Sequence, residues 1–209
     1  MIRIARILNS VQSVAKSVSQ GVHMRISTAL LVIDVQVGLI AGDDPVYQAD
    51  AVLARIAGLI ERARAAGTPV VYVQDKDVGG VGTPEWQIHP AVAPKAGELI
   101  VRKAWSDSFY QTELHAELQA RGIAKLVIAG MKTNFCVDAT SRRAVALGYD
   151  VTLAADAHTT TDNRVLSAAQ TIAYHNDLLW GFGEEDGFGS GQHWITVTPS
   201  SEIEFAEAI

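Results

Sequence analysis

From residue 29 onward, apolar side chains come in short unbroken runs, separated by stretches where they recur every three or four positions. Ala29 to Asp34, ALLVID, is such a run closed by an acid, the pattern of a strand covered on both faces of a parallel sheet. PVVYVQD, ELIVRK, AKLVIAG, DVTLAAD and WITVTP repeat the theme further along the chain. Between most of these runs the spacing predicts α-helices at about residues 49–66, where Gly67 and Pro69 end the pattern, and at about 111–121, 134–147 and 162–179. Strands alternating with helices build βαβ units, so the expected fold is a three-layer α/β/α arrangement around a doubly wound parallel sheet. The chain has no internal repeat.

The first two dozen residues follow another pattern. Ile4, Ile7, Leu8, Val11, Val14, Ala15 and Val18 recur at helical spacing, with Arg3, Arg6 and Lys16 as the only charges, which suits a short basic amphipathic helix. No apolar run there is long enough for a signal peptide or a membrane span. Met24 offers a second start, so residues 1–27 are set apart as an extension, a leader, a tag or a start-site artefact, and residues 28–209 form the folded domain.

With 48% hydrophobic and 19% charged residues, the chain has ample material for a core. A formal charge of −6 gives no basic footprint for nucleic acid or an anionic membrane, and neither is expected as a partner. The single cysteine, Cys136, cannot form an intrachain disulfide, which points to a reducing, cytoplasmic setting.

Ligands of doubly wound sheets bind beyond the carboxyl ends of the strands. Asp34 ends the first run, Lys103 follows ELIV, and Cys136 comes six residues after Gly130, at the start of a predicted helix. Topology thus delivers three groups distant in sequence to one edge of the sheet. A free thiol has a pKa of about 8.5, which a helix N-terminus and a neighbouring ammonium both lower; Thr133-Asn134 supply capping residues and Lys103 the cation. Asp34 is then the base that takes the thiol proton. Against this stands the ordinary fate of an isolated cysteine, which is to be buried as inert packing.

Three blocks, TALLVIDVQVGL, VRKAWSDSFYQTELHAELQARGI and LVIAGMKTNFCVDATSRRAVALGYDVTLAADAHTT, together resemble the isochorismatase-like cysteine hydrolases, the superfamily that includes nicotinamidases and N-carbamoylsarcosine amidases. The resemblance implies a six-stranded parallel sheet of Rossmann-like order and assembly into a homodimer or homotetramer. It implies an Asp34, Lys103, Cys136 triad, a cis peptide at Met131-Lys132, and an oxyanion hole formed by the backbone N–H groups of Lys132 and Cys136. The implied reaction is hydrolysis of a small-molecule amide through a thioester, without a cofactor. Two alternatives stand beside it: hydrolysis of an isochorismate-type vinyl ether, in which Asp34 acts as acid, and a non-catalytic binding protein on the same fold.

Lys132 is unexpected after a cis bond. An inward ammonium would select an acidic or carbonyl-rich substrate; an outward, solvated one is the simpler expectation. Gln36 is read either as a site hydrogen-bonder or as a loop-stabilising amide. Trp86, Trp105, Phe109 and Phe135 fall between strand ends and helices, where they could wall a pocket or pack in the core. In ADAHTTTDN, Asp156 and His158 precede Thr159 to Asp162, which are expected to cap the following helix, although His158 could touch substrate. Some members of the superfamily hold zinc through an Asp and two His after the second strand; here Asp75, Lys76 and Asp77 stand there with no histidine before His89, so no metal is expected. GFGEEDGFGSGQ, residues 181–192, reads as a flexible loop, a lid or a subunit contact.

Overall fold

The computed structural model describes residues 27–184 and 191–205; the amphipathic pattern of the N-terminal extension and the centre of the glycine-rich segment lie outside the described residues. Six strands, β1 (Ser27–Ile33), β2 (Val70–Asp75), β3 (Leu99–Lys103), β4 (Ile123–Met131), β5 (Asp150–Thr159) and β6 (Ile195–Thr198), form one sheet in the order β3-β2-β1-β4-β5-β6. Every neighbouring pair is parallel. Strand order reverses between β1 and β4, which makes their carboxyl ends the switch point of the sheet.

β1 explains why the runs are continuous rather than alternating. Ala29 to Ile33 are all at most 1% exposed, because both faces of the strand are covered. Leu30 and Val32 join one core cluster, while Ala29, Leu31 and Ile33 join the other, as the two-residue period of a strand requires. The first cluster is closed by α2 (Ala49–Ala65), whose buried Val52, Leu53, Ile56, Leu59, Ile60 and Ala63 follow helical spacing. The second is closed by Leu114 and Leu118 of α3 (Leu114–Ala120), Ala144 of α4 (Asp138–Ala146) and Leu179 of α5 (Ala168–Leu179). A four-residue helix, α1 (Val37–Ile40), follows β1.

Helix boundaries differ most from expectation in two places. The last helix begins at Ala168 rather than near residue 162, because β5 continues through Thr159 and Ser167 forms a capping box with Gln170. The hydroxyl-rich run therefore does not cap the helix directly, although Asp162 Oδ1 accepts the Ala168 N–H at 2.7 Å. The helix expected over 134–147 is a π-helical turn, Thr133–Val137, leading into α4. No described helix is long and apolar enough to cross a membrane.

Candidate active site

Asp34 leaves β1 in the left-handed region, at φ 52°, while its N–H still bonds to Val73 O at 2.9 Å. That turn carries the carboxylate into the crevice at the switch point, where it is 1% exposed. Lys103 arrives from the end of β3, where the parallel register sets it opposite Asp75, the last residue of β2. Its side chain is fully buried, with Nζ 2.8 Å from Asp34 Oδ2. The same ammonium donates to Cys136 Sγ at 3.2 Å and to Asp75 Oδ2. One cation thus joins three groups from three different segments.

The segment that presents the sulfur is shaped by contacts on both sides. Gly130 sits at φ +131°, and a Cβ there would lie 2.0 Å from Ile33 O, so the close approach of β4 to β1 admits only glycine. The Met131-Lys132 peptide is cis. Beyond it, Thr133 Oγ1 meets His158 Nδ1 at 2.9 Å, and Thr160 Oγ1 donates to Asn134 Oδ1 at 2.6 Å, which braces the π-helical turn against β5 and the residue that follows it. Asn176 donates through Nδ2 to Ala155 O, so its Oδ1 accepts from His158 Nε2 at 2.8 Å and leaves Nδ1 to accept from Thr133. Burial holds His158 neutral, with its pKa pushed down to about 4.

The electrostatics reverse one expectation. Cys136 was expected to be lowered by the helix end and Lys103; instead burial, followed by the Asp34 charge, pushes the thiol up to about 12, against the opposing pull of Lys103. Burial also raises Asp34, to about 6, with Lys103 limiting the rise. For Lys103 burial acts downward, but the Asp34 and Cys136 charges and the bonds to Asp34 and Asp75 outweigh it and hold the ammonium above the usual lysine range. At neutral pH the cluster therefore consists of a carboxylate, an ammonium and a protonated thiol. Asp34 Oδ1 is buried with no hydrogen-bond partner among the described residues, and a carboxylate oxygen in that setting is a strong acceptor for a proton.

A cavity of about 360 Å³ opens over this cluster, lined at its base by Asp34, Asp75 and Cys136. Of the four aromatic candidates, Trp105 and Phe135 line it, at 57% and 55% exposed. Phe109 does not: it is buried and stacks on Tyr149, with ring centroids 5.9 Å apart. Trp86 is buried beneath Arg102, and its carbonyl accepts from Gln36 and Gln74. Gln36 is likewise away from the cavity lining. Its Oε1 accepts from Asp75 N at 2.9 Å, and its Nε2 donates to Asp75 O and Trp86 O, so the amide holds the β2 end in place. His158 serves the turn rather than the cavity, and Asp156 pairs with Arg55 and Ser200. Lys132 is not the solvated side chain expected: it is half-buried on the cavity wall and donates to Thr161 Oγ1 at 3.2 Å.

Asp75 was weighed in the sequence only as a metal ligand. The missed signal was the pairing of PVVYVQD with ELIVRK, two apolar strands closing in opposite charges, which the parallel register sets side by side. Among the described residues, the one group of His, Cys, Asp or Glu side chains close enough to share a cation is Asp34, Asp75 and Cys136, with ligand atoms within 4.8 Å of one another. Lys103 touches all three, so an ammonium already supplies the positive charge there. After β2 stand Asp75, Lys76 and Asp77, and the next histidine, His89, accepts through Nδ1 from Ala91 N in a 3₁₀ turn, Pro90–Val92.

The chain is similar in sequence and fold to several known proteins. Streptothricin hydrolase of Streptomyces noursei is 43% identical over 138 residues, 64% of this chain and 50% of that protein. The chain spans about half the length of the two streptothricin hydrolases it matches, 50% and 55%. Ureidoacrylate amidohydrolase RutB of Azorhizobium caulinodans is 33% identical across 62% of this chain and 75% of its own length. An isochorismatase from Pseudomonas putida KT2440 superposes with a TM-score of 0.74 at 28% identity, covering 84% of this chain and 89% of that one. N-carbamoylsarcosine amidase from Thermoplasma acidophilum does so with a TM-score of 0.68 at 26% identity, covering 86% and 99%. The description of the isochorismatase domain matches residues 28–174, and the chain belongs to the isochorismatase family.

Proposed function

We propose that this chain is a cysteine-dependent hydrolase that cleaves the C–N bond of a small-molecule amide. The observation that carries the reading is the single ammonium of Lys103, in contact with both Asp34 and Cys136 at the base of the cavity. Relatives named amidohydrolase and amidase support amides as the substrate class.

The protonation states set the order of events. Because the resting thiol is protonated and Asp34 is ionised, Asp34 accepts the thiol proton as sulfur attacks the amide carbonyl, forming the S–C bond and a tetrahedral oxyanion. The backbone N–H groups of Lys132 and Cys136 hold that oxyanion. Collapse breaks the C–N bond, and the amine leaves with the proton from Asp34. Water then attacks the thioester, giving one proton back to Asp34; sulfur departs and recovers it. Lys103 remains an ammonium throughout, balancing the negative charge as it moves between carboxylate, sulfur and oxyanion. Asp75, fixed by Gln36, holds the ammonium from its other side.

Ammonia release from a panel of primary amides by wild type and Cys136→Ala tests this reading. Loss of about four orders of magnitude or more in kcat/KM is expected, in the range seen when an essential nucleophile is removed. Ammonia release retained in Cys136→Ala would overturn it; no ammonia from any amide, together with cleavage of an isochorismate-type vinyl ether that survives Cys136→Ala, would favour acid catalysis through Asp34, which needs no thiol.

A further inference from the structure

We propose that Lys132 is a specificity-determining residue that selects substrates bearing a carboxylate beside the amide to be cleaved; this inference rests on the hydrolase reading above. Two lysines serve this site in different situations: Lys132 is on the cavity lining, whereas Lys103 is buried behind it. Lys103 is saturated by Asp34, Asp75 and Cys136. Lys132 lines the same cavity, yet its ammonium bonds only to the Thr161 hydroxyl and forms no ion pair with any described residue.

An ammonium carries three donors, and placing one on a half-buried wall without a counter-charge is costly. A ligand carboxylate supplies that charge. The other charged side chain on the lining outside the Lys103 cluster is Asp77, which is exposed, likewise forms no ion pair with any described residue, and is positioned by its N–H bonding to Asp75 Oδ1 at 2.9 Å. The wall therefore presents one unpaired cation and one unpaired anion, and the cation is the less hydrated of the two. Thr161 tethers it, while Leu39, Trp105 and Phe135 on the same lining reduce competing water. Because the backbone N–H of Lys132 belongs to the proposed oxyanion hole, its side chain starts one residue from the reacting carbonyl. A charged substituent close to that carbonyl is what it can reach.

Alkylation of Cys136 by iodoacetate and by iodoacetamide measures this recognition without turnover. The two reagents react at the same sulfur and differ in a carboxylate against a carboxamide, so any change in thiol ionisation cancels in their rate ratio. Lys132→Gln is expected to lower the iodoacetate-to-iodoacetamide ratio roughly five- to tenfold, the size of a partly screened charge interaction, and Lys132→Arg to retain it. An unchanged ratio in Lys132→Gln overturns the proposal. In turnover, Lys132→Gln should raise KM more for succinamate than for butanamide; equal effects on both count against it. A wild type that releases ammonia from no amide defeats the hydrolase reading, whereas the alkylation ratio still decides the role of Lys132.

Discussion

Between Asp34 and Cys136 the resting proton sits on sulfur, because burial lifts the thiol to about 12 and the carboxylate only to about 6. In the proposed mechanism, removing that proton is thus the work of the attack step rather than of the ground state, and Asp34 must be ionised to do it. The sign follows directly: below its raised pKa Asp34 is protonated and cannot act as base. We expect kcat/KM to fall tenfold per pH unit on the acid side of about 6, well above the ordinary carboxylate range. An acid limb near pH 4 would contradict that environment. Lys103 is the group whose loss should matter most for stability. Lys103→Met removes the one cation between Asp34 and Asp75, leaving buried carboxylate charge unpaired. A cost of about 3–5 kcal/mol is expected in urea denaturation at neutral pH, together with slower iodoacetamide labelling, since Lys103 favours the thiolate.

Elements, rather than single residues, determine where the sulfur points. The segment GMKTNFCV was legible as a strand end followed by a helix, yet Cys136 lies within a π-helical turn ahead of α4. Helical spacing does not distinguish a wider turn from an α-helix over five residues, and the braces that hold the turn come from His158 of β5 and from Thr160, just past its end. The same long-range pairing takes Thr159 and Thr160 away from the last helix and leaves Asp162 as the member of the run that bonds its first N–H. Gly130 is the residue on which this junction depends. Gly130→Ala places a methyl group against the β1 backbone at a φ that alanine resists. A loss of about 3 kcal/mol or more is expected, read as a lower urea midpoint, and activity should fall further because the turn moves with the strand.

At the scale of the whole molecule, the central pair β1 and β4 holds both the core and the site. Leu31 is fully buried in the middle of β1, so Leu31→Ala should cost about 2–5 kcal/mol, with a lower denaturation midpoint at unchanged slope. The apolar runs and helical intervals determined the α/β class, six strands and their carboxyl-end chemistry, because period and burial are written locally in side-chain polarity. The positions of Asp34 and Lys103 at strand ends, and of Cys136 just beyond one, were legible for the same reason. Tertiary structure alone decided the rest. Which aromatic walls the cavity, which amide braces β2, whether Lys132 faces inward and which way the Cys136 pKa moves all depend on neighbours brought from distant segments. Asp75 opposite Lys103 is the clearest case: both charges are visible in the chain, but only strand register makes them partners.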